Sequence, residues 1–343
     1  MTPRVTVVVP SYNRATCLTD TLASLLAQTV RPTQIIVVDD GSTDDTAEAC
    51  RGFPPPVEYV RRPNGGCPAA RNTGIRAATG EYIALLDADD VWEPTKLEVQ
   101  LALHAARPEI GWSVTNHMTT DRRGEPLPGV QGFARDLPAF RATGQAPEDF
   151  FATDLAPFEF TAAGARHRAF AGDPFELLFY GNFILPSSAL LRRTVIEKAG
   201  LFDEGLRYAE ETEFFHRVGA AAPLGVVMTP LVRWRRGRAD SLISGKNAEP
   251  LIRNALLSLD RAVALRKSTP RAHHLYATGR QRLLQKLAYT QLSNLDPRAA
   301  RDTVRQAWAE RVAPSFGTLE IYAGSLLPRP ALRALQTLKH KLH

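Results

Sequence analysis

Cysteine is scarce in this chain of 343 residues: Cys17, Cys50 and Cys67 are the whole supply. An odd number without paired spacing excludes a disulfide scaffold and the common zinc patterns, and fits a reducing compartment. Long apolar runs are missing too. The longest, Ala220 to Val232, has 13 residues and two prolines, too few to span a bilayer. The start, Met1-Thr2-Pro3-Arg4 running into Val5-Thr6-Val7-Val8-Val9, lacks the charged-then-apolar layout of a signal peptide, so a cytoplasmic location is expected. Neither Gly-x-Gly-x-x-Gly nor Gly-x-x-x-x-Gly-Lys-Ser/Thr occurs, which argues against a dinucleotide fold and a P-loop. What remains, 44% hydrophobic and 23% charged residues, is the composition of a globular protein of two or three domains.

Charge is unevenly spread. Residues 246–343 carry 17 Lys and Arg against 6 Asp and Glu, or +11, while residues 1–245 sum to −5. Two readings stand: arginine on solvated helix faces, or attraction to an anionic partner such as a membrane surface or an acidic substrate. Nucleic acid is not expected, because no zinc, RRM or similar motif accompanies the charge.

The first hundred residues alternate apolar runs with helical periodicity. Strands are expected at Val5–Val9, Gln34–Val38, Val57–Val60 and Tyr82–Leu86, and Leu18, Leu22, Leu25 and Leu26 form one helix face. Near-continuous Val, Ile and Leu strands separated by helices imply a mainly parallel sheet covered on both faces, an α/β domain. From about 120 to 175 the pattern dissolves into Pro, Gly, Arg and single aromatics, and an irregular insert is expected. Beyond Gly245 only helical faces appear, among them Leu251, Ile252, Ala255, Leu256, Leu259 and Val263. The expected division is therefore 1–118, 119–245 within the same domain, and an all-α region at 246–343.

In open α/β sheets ligands bind beyond the carboxyl ends of strands. Here the second strand runs into Asp39-Asp40-Gly41-Ser42 and the fourth into Asp87-Ala88-Asp89-Asp90. Paired carboxylates at one sheet edge are costly unless a cation joins them. Mn²⁺ or Mg²⁺ prefers a few carboxylates plus substrate phosphates. The pattern points to a metal–nucleotide site, with Asp90 the exception, expected to cap a helix near Pro94.

Pro10-Ser11-Tyr12-Asn13-Arg14, Asp39-Asp40-Gly41-Ser42-Thr43-Asp44, Ala70-Arg71-Asn72-Thr73-Gly74 and Asp87-Ala88-Asp89-Asp90, in this order, resemble the signature blocks of family 2 glycosyltransferases, inverting enzymes with the Rossmann-like GT-A fold. The stretch from Pro186 through Glu204 resembles their acceptor-side half. The likeness runs over about residues 4–245 and is poor at 120–175. It implies that Pro10, Tyr12 and Arg14 lie in a loop meeting the donor, and that Asp39 bonds its base, typically uracil. Arg71 would contact the nucleotide or its diphosphate, Asp87 the ribose or a metal-bound water, and Asp89 would ligate Mn²⁺ or Mg²⁺.

Inversion with a hydroxyl acceptor needs a carboxylate to take the proton. In Tyr208-Ala209-Glu210-Glu211-Thr212-Glu213-Phe214-Phe215-His216-Arg217-Val218, Glu211 falls at i with Phe214, Phe215 and Val218 at i+3, i+4 and i+7, on the apolar face. Glu211 is thus the expected base, Glu210 a brace, and Glu213 with Arg217 a surface pair. Relatives usually show Glu-Asp here, and Glu211 stands where they have Asp. Where many relatives place a His that can ligand metal or phosphate, this chain has Arg235, which can hold a diphosphate. His104, His117, His167 and His216 show no ligand spacing.

The last segment places Leu332, Leu335, Leu338 and Leu342 on one side and adds Lys339 and Lys341. This is an amphipathic stripe that either lies on an anionic bilayer or packs on protein, including a second copy in a homo-oligomer. The expected activity is transfer of a sugar from a nucleotide-sugar donor, a UDP-sugar, to a hydroxyl of a surface-glycan, lipopolysaccharide or lipid-linked acceptor. The alternatives are transfer to a peptide or small natural product, or a non-catalytic sugar-nucleotide-binding scaffold.

Overall fold

The structure, a computed structural model, describes residues 3–129, 131–136, 146–181, 183–236, 247–267, 269–309, 316–328 and 330–331. The chain divides into two compact units, Met1–Arg238 and Ala239–His343.

In the first unit the order is β1 (Val5–Ser11), α1 (Ala15–Leu26), β2 (Gln34–Asp39), α2 (Thr46–Arg51), β3 (Val57–Arg61), α3 (Cys67–Ala77), β4 (Tyr82–Leu85), β5 (Val91–Trp92), α4 (Lys96–Ala106) and β6 (Trp112–Thr120). Then follow α5 (Gly132–Asp136), α6 (Pro147–Ala152), β7 (Ala156–Ala162), β8 (Ala165–Gly172), β9 (Leu190–Arg192), α7 (Arg193–Ala199), α8 (Glu210–Ala221) and β10 (Leu224–Arg235). The strands form one sheet in the order β3-β2-β1-β4-β9-β6-β10-β8-β7, with β5 paired to β10. β1 pairs in parallel with β2 and β4, β2 with β3, and β6 with β10; β9 enters antiparallel between β4 and β6.

Strand alternation sorts the apolar residues onto two faces. Val8, Ile36, Val38, Ile83 and Leu85 join one core with residues of α3 and α8, including Ile75, Phe214, Phe215 and Val218. Val7, Val9, Ile35, Val37 and Ala84 join the other with Leu18, Leu22 and Leu25 of α1 and Leu97 of α4. Burial on both faces explains why these strands read as unbroken Val and Ile. Gly74 is obligatory in this packing, because a Cβ there would collide with the Val8 side chain beneath α3.

The irregular insert expected over 120–175 is corrected in part. β7 and β8 are an antiparallel hairpin on the sheet edge, turning through Ala163 and Gly164, both at positive φ. Its inner residues Phe160, Ala162, Ala169 and Ala171 close a third core with Val99, Leu103 and Val227. An Ala-Gly turn lacks the Asn-Gly or Asp-Gly mark of a hairpin, and two-residue turns of this hand need positive φ at both positions. Residues 137–145 of the expected insert lie outside the described ones.

The second unit contains α9 (Ala248–Val263), α10 (Pro270–Ser293), α11 (Pro297–Ala309) and α12 (Phe316–Ser325), with no strand among the described residues. Thr269 caps α10 by accepting from the Ala272 N–H at 3.0 Å, and Pro270 fills its first turn. Ile252 and Leu256 pack on Leu284, Leu287 and Ala307. The leucine stripe from Leu332 to Leu342 lies outside the described residues. No helix of the described residues is long and apolar enough to cross a membrane.

Candidate functional site

Because β1, β2 and β4 are parallel neighbours, their carboxyl ends open on one edge, and the loops there are tied to each other. The Asn13 amide donates to Ser42 Oγ at 2.9 Å and its side-chain oxygen accepts from Thr43 N at 2.9 Å. Asp44 accepts from Ala15 N at the start of α1 and from Thr46 N at the start of α2. Asp40 is buried and holds the segment before α3, accepting from Arg62 Nη1 at 2.7 Å, Gly65 N at 3.0 Å and Gly66 N at 2.7 Å. The second acid of the β2 pair is thereby a brace.

The residues expected to meet the donor line this edge. Pro10 is buried at the penultimate position of β1, which ends at Ser11, and Tyr12 just beyond is 47% exposed. Asp39, buried at the end of β2, accepts from Ser42 N at 2.7 Å and from the Tyr59 hydroxyl. Arg14 approaches Asp89 with Nε 3.4 Å from Oδ2. The loop 87–90 is pinned from behind: Thr21 Oγ1 donates to the carbonyls of Ala88 and Asp90, and Ser187 Oγ accepts from Asp87 N at 3.1 Å.

Asp90 does not cap a helix. Its carboxyl is buried, takes a hydrogen bond from Ser187 Oγ, and accepts from the Arg235 backbone N–H at 3.1 Å. α4 starts only at Lys96. Burial, then the charges of Asp89 and Asp87, push the Asp90 carboxyl well above the usual carboxylate range. Arg235 thus stands beside the acidic loop through its backbone, while its guanidinium pairs with Asp20 of α1 at 2.9 Å and its Nε is buried without a partner.

Arg71 is the centre of the site. Its side chain is 4% exposed; Nη2 lies 2.8 Å from Asp87 Oδ1 and Nη1 lies 3.1 Å from Glu210 Oε1. The next residue, Asn72, clamps the chain at Phe202 from both sides, donating to its carbonyl and accepting from its amide, each at 2.9 Å. Phe202 stacks on Phe214 of α8 at 3.9 Å between ring centroids. The Ala-Arg-Asn block thereby couples the donor edge to the acidic helix.

α8 corrects the reading of its three acids. Glu210 and Glu213 are buried, whereas Glu211 is only partly so. Positions 210 and 211 both lie one turn from Phe214, so periodicity alone cannot rank them; the centre of the stripe runs through Glu210, Phe214 and Val218. Glu213 and Arg217 do pair, at 2.7 Å, but inside the protein, with Arg217 also donating to the carbonyls of Ala199 and Leu201. Burial and the neighbouring Glu211 push the Glu210 carboxyl up to about 8. The four histidines are buried; burial holds His216 down to about 4 and His104 down to about 3, as neutral rings.

Among the described residues no three His, Cys, Asp or Glu side chains converge into a metal cage. Asp89 and Asp87, 23% and 30% exposed, present an acidic edge that Arg14 and Arg71 approach. Such a set fits an ion that takes one or two carboxylates and completes its shell with diphosphate oxygens and water, the habit of Mg²⁺ and Mn²⁺.

Residues 6–150 match the family model described as glycosyl transferase family 2. They are a family 2 glycosyltransferase domain. An uncharacterized glycosyltransferase of Rickettsia felis is 36% identical over 130 residues, 37% of this chain. The putative teichuronic acid biosynthesis glycosyltransferase TuaG of Bacillus subtilis is 36% identical over 129 residues, 36% of this chain. The chain spans 21% of the first relative's length and 51% of the second's. The glycosyltransferase domain and the remaining residues together share their fold with solved structures. S. aureus TarS 1–349 in complex with UDP-GlcNAc has a TM-score of 0.59 and 18% identity over 90% of this chain and 82% of its own. Mannosyltransferase PcManGT from Pyrobaculum calidifontis, in complex with GDP-Man and Mn²⁺, has a TM-score of 0.54 and 19% identity over 98% and 84%. The fold is GT-A with a helical C-terminal region, as the motif blocks imply.

Sequence reading passed over Tyr59, Ser187 and Asn72 and left Glu210 a minor part. Asn72 and Ser187 carried a signal, each by its place inside a stretch of the family resemblance. The other contacts join residues up to 139 positions apart, which no local pattern announces.

Proposed function

We propose that this domain is an inverting transferase that moves a sugar from a nucleotide-sugar donor, a UDP-sugar, to an acceptor hydroxyl. The observation that carries the reading is one sheet edge on which Asp39, Asp87 and Asp89 gather, with Arg71 joining Asp87 to the acidic start of α8. Asp39 and the loop of Pro10, Tyr12 and Arg14 meet the base and Asp87 the ribose. Asp89 is the protein's ligand to Mn²⁺ or Mg²⁺, which when bound neutralises charge developing on the diphosphate. Glu211, the more exposed acid of α8, takes the proton as the acceptor oxygen attacks C1, the bond from C1 to the diphosphate breaks, and configuration inverts. Arg235 adds positive charge toward the leaving group.

Residues 1–118 then form the donor half, 119–245 the acceptor half, and 246–343 a basic helical domain that meets a glycan or lipid-linked acceptor, or an anionic membrane from the cytoplasmic side. TuaG's assignment to teichuronic acid biosynthesis supports a surface-glycan acceptor. A non-catalytic sugar-nucleotide-binding scaffold is the second reading, favoured by Glu211 standing where relatives have Asp and by the pairing of Arg235 with Asp20.

The deciding experiment is release of nucleoside diphosphate from a panel of UDP-sugars and GDP-mannose with Mn²⁺ or Mg²⁺, for wild type, Asp89→Ala and Glu211→Gln. Metal-dependent release that falls at least about 100-fold in both variants supports the transferase. Calorimetric UDP binding without release supports the scaffold, and no binding of either nucleotide rejects both.

A further inference from the structure

We propose that Glu210 is a positioning residue for the transfer: through Arg71 it ties the donor-side acid Asp87 to the start of α8 and holds the neighbouring Glu211 in its working orientation. This rests on the transferase reading above.

Three observations lead there. First, both terminal nitrogens of Arg71 are committed. One terminal nitrogen goes to Asp87, the other to Glu210, and its buried Nε has no partner. A planar guanidinium can span two carboxylates in fixed directions, which a lysine ammonium cannot do. Second, the bridge sits on a rigid stack. The Arg71 guanidinium lies over the Phe202 ring at 5.3 Å, and that ring stacks on Phe214 one turn along α8 from Glu210. A donor that engages Asp87 therefore grips one end of a stiff element whose other end is the residue before the base. Third, the groups facing Glu210 are Cys67 and Arg71 from α3 and Glu211 on its own helix, with Asp87 beyond Arg71.

Two carboxylates this close do not both ionise readily. Burial and Glu211 hold the Glu210 carboxyl up to about 8, and its side chain is hydrogen-bonded to Glu211. At neutral pH the proton on Glu210 serves as a donor to Glu211 and keeps that side chain aimed. Above about pH 8 Glu210 loses that proton and with it the hydrogen bond that aims Glu211.

The test uses the full chain and the donor that wild type cleaves fastest in the panel. UDP affinity with Mn²⁺ is read by calorimetry and UDP release is read from pH 6 to 9.5. Glu210→Ala should bind UDP within threefold of wild type yet release it at least tenfold more slowly, a loss in kcat rather than KM. Glu210→Gln keeps the shape and an N–H donor, so it should restore release to within threefold of wild type at pH 7. It should also remove the fall in wild-type rate above about pH 8. A side chain that only stabilises the fold would give no such change of profile.

Wild-type turnover in Glu210→Ala, or an unchanged alkaline limb in Glu210→Gln, overturns the proposal while leaving the transferase reading intact. If Glu210→Ala does not fold, the profile of Glu210→Gln decides alone. Wild type that neither binds UDP nor releases it overturns the transferase reading, and this proposal with it.

Discussion

The edge of the first unit proposed to take the donor and the side proposed to take the acceptor are built in opposite ways. At this edge two parallel strands each deliver their acids within a few residues, β2 Asp39 and β4 Asp87 and Asp89. On the acceptor side the sheet is completed by strands from far along the chain. β9 inserts antiparallel between β4 and β6, and the β7–β8 hairpin extends the edge beyond β10. The first arrangement encodes its site locally, whereas the second depends on clamps between distant residues. Arg71 and Asn72 are the hinge of this contrast, since both sit in a donor-side block and both fasten acceptor-side chain.

The largest effect should come from cutting that hinge. Arg71→Ala leaves Glu210 buried and takes from Asp87 its cation partner. The buried Glu210 carboxyl loses a donor, at about 1–3 kcal/mol, and Asp87 loses a charged hydrogen bond, at about 1.5–3 kcal/mol, so about 3–5 kcal/mol together. Urea unfolding should report a loss of that size. Arg4→Ala, which removes a pair between two exposed side chains, should change stability by less than about 0.5 kcal/mol. Equal effects would show that the Arg71 bridge is no more than surface pairing.

Asn72→Ala tests the same hinge without removing a charged side chain, although Glu204 also loses the bond it accepts from Asn72. Phe202 would lose the partner of both its amide and its carbonyl in a buried setting. An unsatisfied buried group costs about 1–3 kcal/mol, so a loss of about 2–3 kcal/mol is expected. Its complement is proteolysis near Phe202, which should quicken in the variant if the clamp holds this chain.

How far the molecule was legible follows the same line. The α/β class, the parallel strands, the acids at their ends and the helical tail were all carried by local periodicity and by four motif blocks. Periodicity could not rank Glu210 against Glu211, because adjacent positions on a helix share a turn with the same phenylalanine. The hairpin escaped because Ala163-Gly164 is an unusual turn pair. Asp90 looked like a helix cap because its true partners, Ser187 and the amide of Arg235, are about a hundred or more residues away.

Acid should strain the fold through its buried histidines, and His216 isolates the share of α8. His216 of α8 is buried and neutral, held down to about 4 from a usual 6.5. The unfolded chain binds a proton there below 6.5 while the folded one does not until about 4. Stability is therefore complete above 6.5 and falls as pH drops through that window, by about 1.4 kcal/mol per unit. Between pH 7 and 5 this amounts to about 2 kcal/mol. His216→Gln, which cannot titrate, should show a decline smaller by that amount in urea titrations at the two pH values. Glu210 is common to both proteins and cancels. Parallel declines would mean that the ring is solvated.

The smallest effect sits where the acceptor-side helix begins. Ala209, which precedes Glu210, has φ of +57° in the left-handed region, and it is buried. For an L-residue with a Cβ this conformation costs roughly 1–2 kcal/mol, which glycine largely avoids. Glycine also gains freedom in the unfolded chain, which offsets part of the relief. Ala209→Gly should therefore raise stability by no more than about 1 kcal/mol, read as an upward shift of the thermal midpoint. The donor edge offers a matched control, because Asn13 has φ of +52° there but uses its side chain to hold Thr43 in place. Asn13→Gly relieves the same backbone while removing the bond from Thr43 to Asn13, so its midpoint should fall. Opposite signs at these two positions would show that the acceptor-side helix is entered under strain held by its surroundings, while the donor loop is held by its own side chain.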